Sequence, residues 1–498
     1  MSTEPGRTPT ILCLINAAAH SRTYFCQLAA HLQRQGYRVV FALDSHLSDV
    51  LYAKNQALHE NAWYFTDFMR DNLADLPGTE EMAQQSWSSL FSDFDRFLTM
   101  AITPPLQPQA PVGYAQIPAL LKRFFARIFA QVGPCAVLYE PVSNAFAVAA
   151  YQQCRAVGIP FCSLSPSRIP GRIELSTTGA LEDHVSVGRL FEQGASGAIS
   201  ASSRQIAAAY IESIDKQVPD YMKTNGLDRI SLLGKYFSAA KFAHFARGWR
   251  YRQRYAKDCE LAFQHGDPVA LSMAYVKRAI ARRLRLRQVQ RFYSTEVKDE
   301  PFLLYPLHFH PEASTSVWAP DFVDELSTIK SLAFRLPCDV KLYVKEHPSA
   351  VALQPTSFYR QLHDMPNVRL LAPQLPTKQI IRRSRGVVTL TSTAGFEAAV
   401  LNKPVVTLGT VFYNYFPNVR NVDNPTQFAA ALRWALSYQP LPAETLLEAT
   451  AAYVEFGVPG KFDFEASRGD ASALAGVAAL IHRTLQRPVT VAHGSQHG

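Results

Sequence analysis

The sequence lacks the cysteine pattern of either a disulfide framework or a zinc site. Its seven cysteines, Cys13, Cys26, Cys135, Cys154, Cys162, Cys259 and Cys338, are odd in number and scattered, and none forms a CxxC pair. Buried, reduced thiols are the expected state. Long apolar runs are lacking too: none reaches the roughly 18 residues that a membrane-spanning helix needs. Met1 to Thr10 is polar, contains Pro5 and Pro9, and has no apolar core of the signal-peptide kind. A cytoplasmic location is the expectation. Walker loop, GxSxG elbow and HExxH are missing, which removes NTPase, serine-hydrolase and zinc-protease chemistry.

What is present is an ordinary globular composition, 48% hydrophobic and 18% charged. The 498 residues exceed what one hydrophobic core usually organises, so two sizeable domains are expected. The net charge of +9 is concentrated: Lys241 to Arg291 holds thirteen Lys and Arg against Asp258, Glu260 and Asp267. Lys277, Arg278, Arg282, Arg283, Arg285, Arg287 and Arg291 fall on a predicted helix. That block suits anionic lipid headgroups, a polyanionic acceptor, nucleic acid or simply a solvated face. Nucleic acid fits worst, because no recognisable binding module accompanies the charge.

Apolar runs alternate with helix-period segments in both halves. Ile11 to Ala18, Arg38 to Leu43, Cys135 to Tyr139 and Ile159 to Leu164 read as strands, with helices over Thr23 to Gln35 and Asn144 to Ala156. A second series comprises strands at Pro301 to Leu307, Val340 to Lys345, Val368 to Leu371, Gly386 to Leu390 and Pro404 to Leu408, with helices at Phe322 to Phe334 and Ala394 to Leu401. This βα grammar predicts an α/β protein with two Rossmann-like domains facing a cleft, a GT-B-like architecture with a helical insertion and C-terminal helices. The predicted division is residues 1–199 as an acceptor or catalytic domain and 200–300 as a basic helical link. Residues 301–470 form a nucleotide-sugar domain and 471–498 a terminal helix with a disordered tail.

Three clusters follow predicted strands, where parallel sheets place ligand groups. The first, Leu307-His308-Phe309-His310-Pro311-Glu312, offers His310 and Glu312 as acid or base groups. The second is Lys345-Glu346-His347-Pro348, where His347 can bond a phosphate oxygen or be an ordinary strand-end histidine. In the third, Thr391-Ser392-Thr393-Ala394-Gly395-Phe396-Glu397, hydroxyls meet a helix N-terminus. It can hold one phosphate or be a simple N-cap.

Leu303 to Thr315 (LLYPLHFHPEAST), the Lys345-Glu346-His347-Pro348 motif and Thr389 to Gly409 (TLTSTAGFEAAVLNKPVVTLG) resemble the capsule polysaccharide synthesis family, which includes retaining β-Kdo transferases. The resemblance implies a metal-independent glycosyltransferase of capsule, lipopolysaccharide or O-antigen synthesis. Its CMP-Kdo donor phosphate would lie at His347, Pro348, Ser392 and Thr393, beside Lys345, Thr391 and Gly395, with Glu397 on the ribose or base. No cofactor is implied. A lipid-linked glycan would be the acceptor, at the inner face of the inner membrane. Other donors on the same fold are a UDP-sugar, CMP-sialic acid or CDP-glycerol, and a non-catalytic glycan-binding scaffold is the alternative of a different class.

The N-terminal half offers Glu140, at a strand end, as base or nucleophile. Arg168 and Arg172 suit the carboxylate of an ulosonic acid. Some family members carry Glu-Asp-Gly after the strand equivalent to Ile159 to Leu164, where this chain has Ser165-Pro166-Ser167-Arg168. Asp93-Phe94-Asp95 matches a metal-binding DxD, but Trp87 to Met100 reads as an amphipathic helix, so no metal is expected there.

Overall fold

A computed structural model describes residues 8–16, 19–52, 58, 61–100, 105–106, 110–178, 183–217, 239–460 and 471–486. The N-terminal sheet contains β1 Thr10–Ile15, β2 Arg38–Leu43, β3 Ala62–Tyr64, β4 Pro134–Tyr139, β5 Phe161–Pro166 and β6 Arg172–Ser176. The second sheet contains β7 Phe302–Pro306, β8 Lys341–Lys345, β9 Val368–Leu371, β10 Val387–Thr389, β11 Val405–Thr407 and β12 Val419–Asn421. A last short strand, β13 Val458–Pro459, returns to the first sheet.

The first sheet runs β13-β6-β5-β4-β1-β2-β3 and the second β12-β11-β10-β7-β8-β9. Every pair in the second sheet is parallel, and in the first only β6 opposes its neighbours. β1 and β7 are buried along their whole length, as continuous apolar strands covered on both faces must be. Each sheet reverses its winding once, between β1 and β4 and between β7 and β10. Ligand crevices form at such switch points, beyond the carboxyl ends of the strands. The α/β, two-Rossmann architecture expected from the sequence is therefore the fold.

Helix ends follow local chemistry. Asn144 caps the helix Ala145–Val157 by accepting from the Ala147 amide at 3.0 Å, and Gly158, at φ 72°, ends it in the left-handed region where a side chain is strained. Packing divides the chain differently from the predicted segments. Ile169, Val187, Ile199, Ala207 and Tyr210 join a core with Phe396 and Tyr453 against the second sheet, so residues beyond about 183 leave the N-terminal core before residue 199. The basic region is shared: Leu261 and Phe263 pack into the first core, and Val289 into the second. Leu474, Val477 and Ile481 cross back to the first. The cysteines are all free; Cys13, Cys154 and Cys162 are buried as expected, whereas Cys338 is exposed because it lies on the loop before β8.

Candidate functional site

Because β10, β7 and β8 are neighbours, the three motif loops emerge side by side, at strand spacings of about 4.8 Å. The loop after β7 buries His308 and His310 around Glu325, from the first turn of the helix Glu325–Ala333. Glu325 Oε1 lies 3.0 Å from His308 Nδ1 and Oε2 lies 3.2 Å from His310 Nε2, and the carboxylate also accepts from the His308 amide. Burial alone would raise the Glu325 pKa, but the two histidines outweigh it and hold the carboxyl at about 2. For His310, burial would lower the pKa, and Glu325, with Asp95 and Glu312, reverses the sign and raises it. His308 uses its other nitrogen, Nε2, to accept from the Thr391 amide at 3.2 Å, tying the first loop to the third.

In the second loop, the Ser349 amide donates to His347 Nδ1 at 3.1 Å. Burial, with the His308 and Lys345 charges, pushes the His347 pKa down to about 4. Near neutral pH His347 is therefore uncharged, and because Nδ1 accepts, Nε2 carries the proton. Lys345 is placed elsewhere. It is buried, donates from Nζ to the Pro373 carbonyl at 2.9 Å, and desolvation lowers its pKa to about 8.

The third loop is more internally satisfied than the sequence suggests. Ser392 caps the helix Thr393–Val400 by accepting from the Ala394 amide, while its own amide donates to Thr389 Oγ1. The Gly395 amide donates to the Ser392 carbonyl, and Thr391 Oγ1 donates to the Ser314 carbonyl at 2.6 Å. Thr391 thus fastens two loops together. Gly395 is required by a neighbour: a Cβ there would stand 2.4 Å from the Tyr413 hydroxyl. Glu397 is buried 3.5 Å from Lys378 Nζ. Ser392, Thr393, His347 and Pro348 are partly exposed.

A cavity of about 340 Å³ lies against the first two loops; its walls include His308, His310, Glu325 and Glu346 from the second sheet's side and Asp95, Thr99 and Arg278 from other segments, but not His347, Ser392 or Thr393. A larger hollow of about 460 Å³, lined by Gln84, Ser86, Lys122 and Gln152, brings no acid, histidine or motif residue together. Asp95 accepts from Thr99 Oγ1 at 3.1 Å through Oδ1, while Oδ2 is buried without a hydrogen-bond partner. Desolvation raises its pKa, opposed by the His310 charge. Asp93 does something else: its carboxylate accepts from the Ala145 amide at 2.9 Å and from Gln264 at 3.2 Å, fixing the start of a helix. The DxD pair is split between structure and cleft.

Glu312 is solvent-exposed yet hemmed in by protein, which raises its carboxyl against the Ser314 hydrogen bond and the charges of His308, His310 and Arg168. Arg168 thus reaches the electrostatic neighbourhood of the cleft. Arg172 does not join it: its guanidinium donates to the Val454 and Gly457 carbonyls, at the end of the helix Ala443–Phe456. Glu140 stands just past β4, at the first sheet's switch point, and is absent from the cavity wall. Elsewhere, His46, Asp67 and Asp258 have metal-ligand spacing. There, burial would lower the His46 pKa, but bonds to Asp49 and Asp67 lift it to about 9. With Arg70 bridging Asp67 and Asp258, the cluster is an ion-pair network whose positive charges are its own.

Sequence reasoning named His310 but missed Glu325 and Asp95. Glu325 carries no motif and lies fifteen residues beyond His310. Asp95 was visible only as half of a metal motif.

Comparison with curated proteins finds no match. Among solved structures, a UDP-GlcNAc 2-epimerase from Methanocaldococcus jannaschii aligns at 8% identity over 95% of this chain and 99% of that one, with a TM-score of 0.26. Two Thermosulfurimonas dismutans structures also align over 66% of this chain. KpsC beta Kdo 2,7 transferase does so at 14% identity over 80% of its length, TM-score 0.30, and KpsC beta Kdo 2,4 transferase at 13% over 85%, TM-score 0.32. A family model described as capsule polysaccharide biosynthesis protein matches residues 206–428, a span that contains all three motif loops, and this is the family that the chain resembles.

Proposed function

We propose that the chain is a glycosyltransferase of bacterial surface-polysaccharide synthesis that transfers β-Kdo from CMP-Kdo, with retention and without a metal, to a lipid-linked glycan. The observation that carries this reading is His347: a partly exposed, neutral imidazole at a strand end, with its Nδ1 already occupied by the Ser349 amide. Its Nε2 proton suits a phosphate oxygen, and the Ser392 and Thr393 hydroxyls at a helix N-terminus suit the same single phosphate. The match to the capsule family spans these residues.

In this scheme a carboxylate attacks the anomeric carbon as the bond to the CMP phosphate oxygen breaks and CMP leaves with the electron pair. The acceptor hydroxyl then displaces that carboxylate, giving its proton to a base, and configuration is retained after two inversions. Asp95 is the carboxylate favoured here, because it shares a cavity with His308 and His310. Thermal-shift measurement with CMP, CDP and UDP tests the donor. CMP at about 100 times its Kd should stabilise by about 2.7 kcal/mol. A response to UDP or CDP alone would move the donor to that class, and a response to none would leave a scaffold. Transfer in EDTA equal to that in Mg²⁺ supports the metal-free reading, and a metal requirement refutes it.

A further inference from the structure

The helix Pro268–Val289 is divided around its axis. On one side Arg278 donates to the His310 carbonyl at 3.1 Å, Arg282 to that of Val351, and Arg285 to those of Ala352 and Leu353, so these arginines brace the loops of the candidate site. The reading of the whole basic block as one solvated or lipid-facing surface is thereby corrected. On the other side Met273, Ile280 and Leu284 recur at helical spacing and are 52%, 53% and 64% exposed. Lys277, Arg283 and Arg287 are interleaved with them, also exposed. The packed neighbouring helix Ala239–Arg254 adds exposed Phe242, Trp249 and Arg250.

A solvated helix face is polar; this one presents large apolar side chains rimmed by cations, the pattern of a helix lying in a membrane interface. No acidic residue occurs from Pro268 to Thr295. A second copy of the chain would therefore set like charges against one another, whereas an anionic bilayer complements both the charge and the apolar stripe. We infer that this face docks the protein on an anionic phospholipid surface, with Met273, Ile280 and Leu284 entering the headgroup layer and Lys277, Arg283 and Arg287 contacting the phosphates. Arg278 and Arg282, on the same helix, would hold the candidate cleft beside that surface. The inference is independent of which donor is used.

Sedimentation of the full chain with vesicles of phosphatidylcholine, alone or mixed with phosphatidylglycerol, tests it without any donor. Wild type should bind the mixed vesicles, bind phosphatidylcholine weakly, and be released as salt screens the charges. The triple variants Met273→Gln/Ile280→Gln/Leu284→Gln and Lys277→Gln/Arg283→Gln/Arg287→Gln should each bind roughly tenfold or more weakly. These side chains are exposed, so the melting temperature should hold. Absence of wild-type binding, or wild-type binding by the charge variant, overturns the proposal. So does a wild-type dimer that the apolar variant turns into a monomer, which would make the face a contact between copies.

Discussion

Glu325 Oε2 lies 3.2 Å from His310 Nε2, and the other oxygen of the same carboxylate is taken by His308. The arrangement ties the loop after β7 to the first turn of the helix Glu325–Ala333 through one buried charge. Glu325→Gln should cost about 3–5 kcal/mol, the range for breaking a buried ion pair by removing one partner. The sign of the pH dependence follows from the shifts. A Glu325 carboxyl at about 2, below its ordinary 4.5, contributes stability above pH 4.5 that is lost as pH falls toward 2. His310, raised above 6.5, contributes below pH 6.5, and that contribution is lost as pH rises through its folded value. The variant's deficit in urea midpoint should thus be greatest between these limits. A midpoint equal to wild type there would show that the network does not hold the loop.

His347→Ala and Ser392→Ala should each lower turnover by roughly 10²-fold or more, because both side chains would face the departing phosphate, and Ser392→Ala, which also loses a helix N-cap, should lower the melting temperature by no more than a few degrees. With His347 at about 4, it stays neutral through the neutral range, so turnover should show no dependence on its titration above pH 6. Wild-type kinetics in either variant would remove that residue from the phosphate site. A rate that falls as an imidazolium is lost would require His347 to act as a cation.

The fold was legible because parallel strands covered on both faces leave unbroken apolar runs: Arg38–Leu43 and Val368–Leu371 were read to the residue. β6 and β13 were not, since strands of five and two residues, paired with each other 285 positions apart at Ile173 and Val458, leave no local period. Site residues divided in the same way. His347 and Ser392 stand where strand ends and caps announce them. Lys345 and Gly395 looked like ligand groups but answer to Pro373 and Tyr413, contacts that no spacing encodes. Arg282 looked like surface charge and is buried, because the helix face it occupies is set by packing against the loop after His347.

Asp95→Asn keeps the side chain's shape and its oxygen for Thr99 while removing the charge. Turnover should fall by roughly 10²-fold or more with CMP binding unchanged, as expected of a group that acts on the sugar rather than on the nucleotide. Glu140→Gln, outside the cavity wall, should lose less than about tenfold. The reverse ranking would return the reacting carboxylate to Glu140.

Glu346 is 2% exposed; Oε1 accepts from the Tyr359 hydroxyl at 2.5 Å and the Ala352 amide at 3.2 Å, while Oε2 has no hydrogen-bond partner. Burial raises its pKa to about 8, although both hydrogen bonds and the Arg282 charge pull the other way. Between pH 4.5 and 8 the folded chain therefore keeps a proton that the unfolded chain has released, so stability that is full below pH 4.5 falls progressively across this interval and is lost once pH passes 8. Glu346→Gln keeps an oxygen for Tyr359 and Ala352 but cannot ionise. Its melting temperature should match wild type below pH 4.5, pull ahead as pH rises, and exceed it above pH 8 by on the order of 5 °C. Because Glu346 adjoins His347 and lines the cavity, the wild type should also lose CMP affinity over the same rise in pH, through loosening of the Val351 to Leu353 loop, and the variant should not. Melting curves that run parallel for the two proteins from acid to alkaline pH would show that Glu346 ionises in the fold as freely as in water.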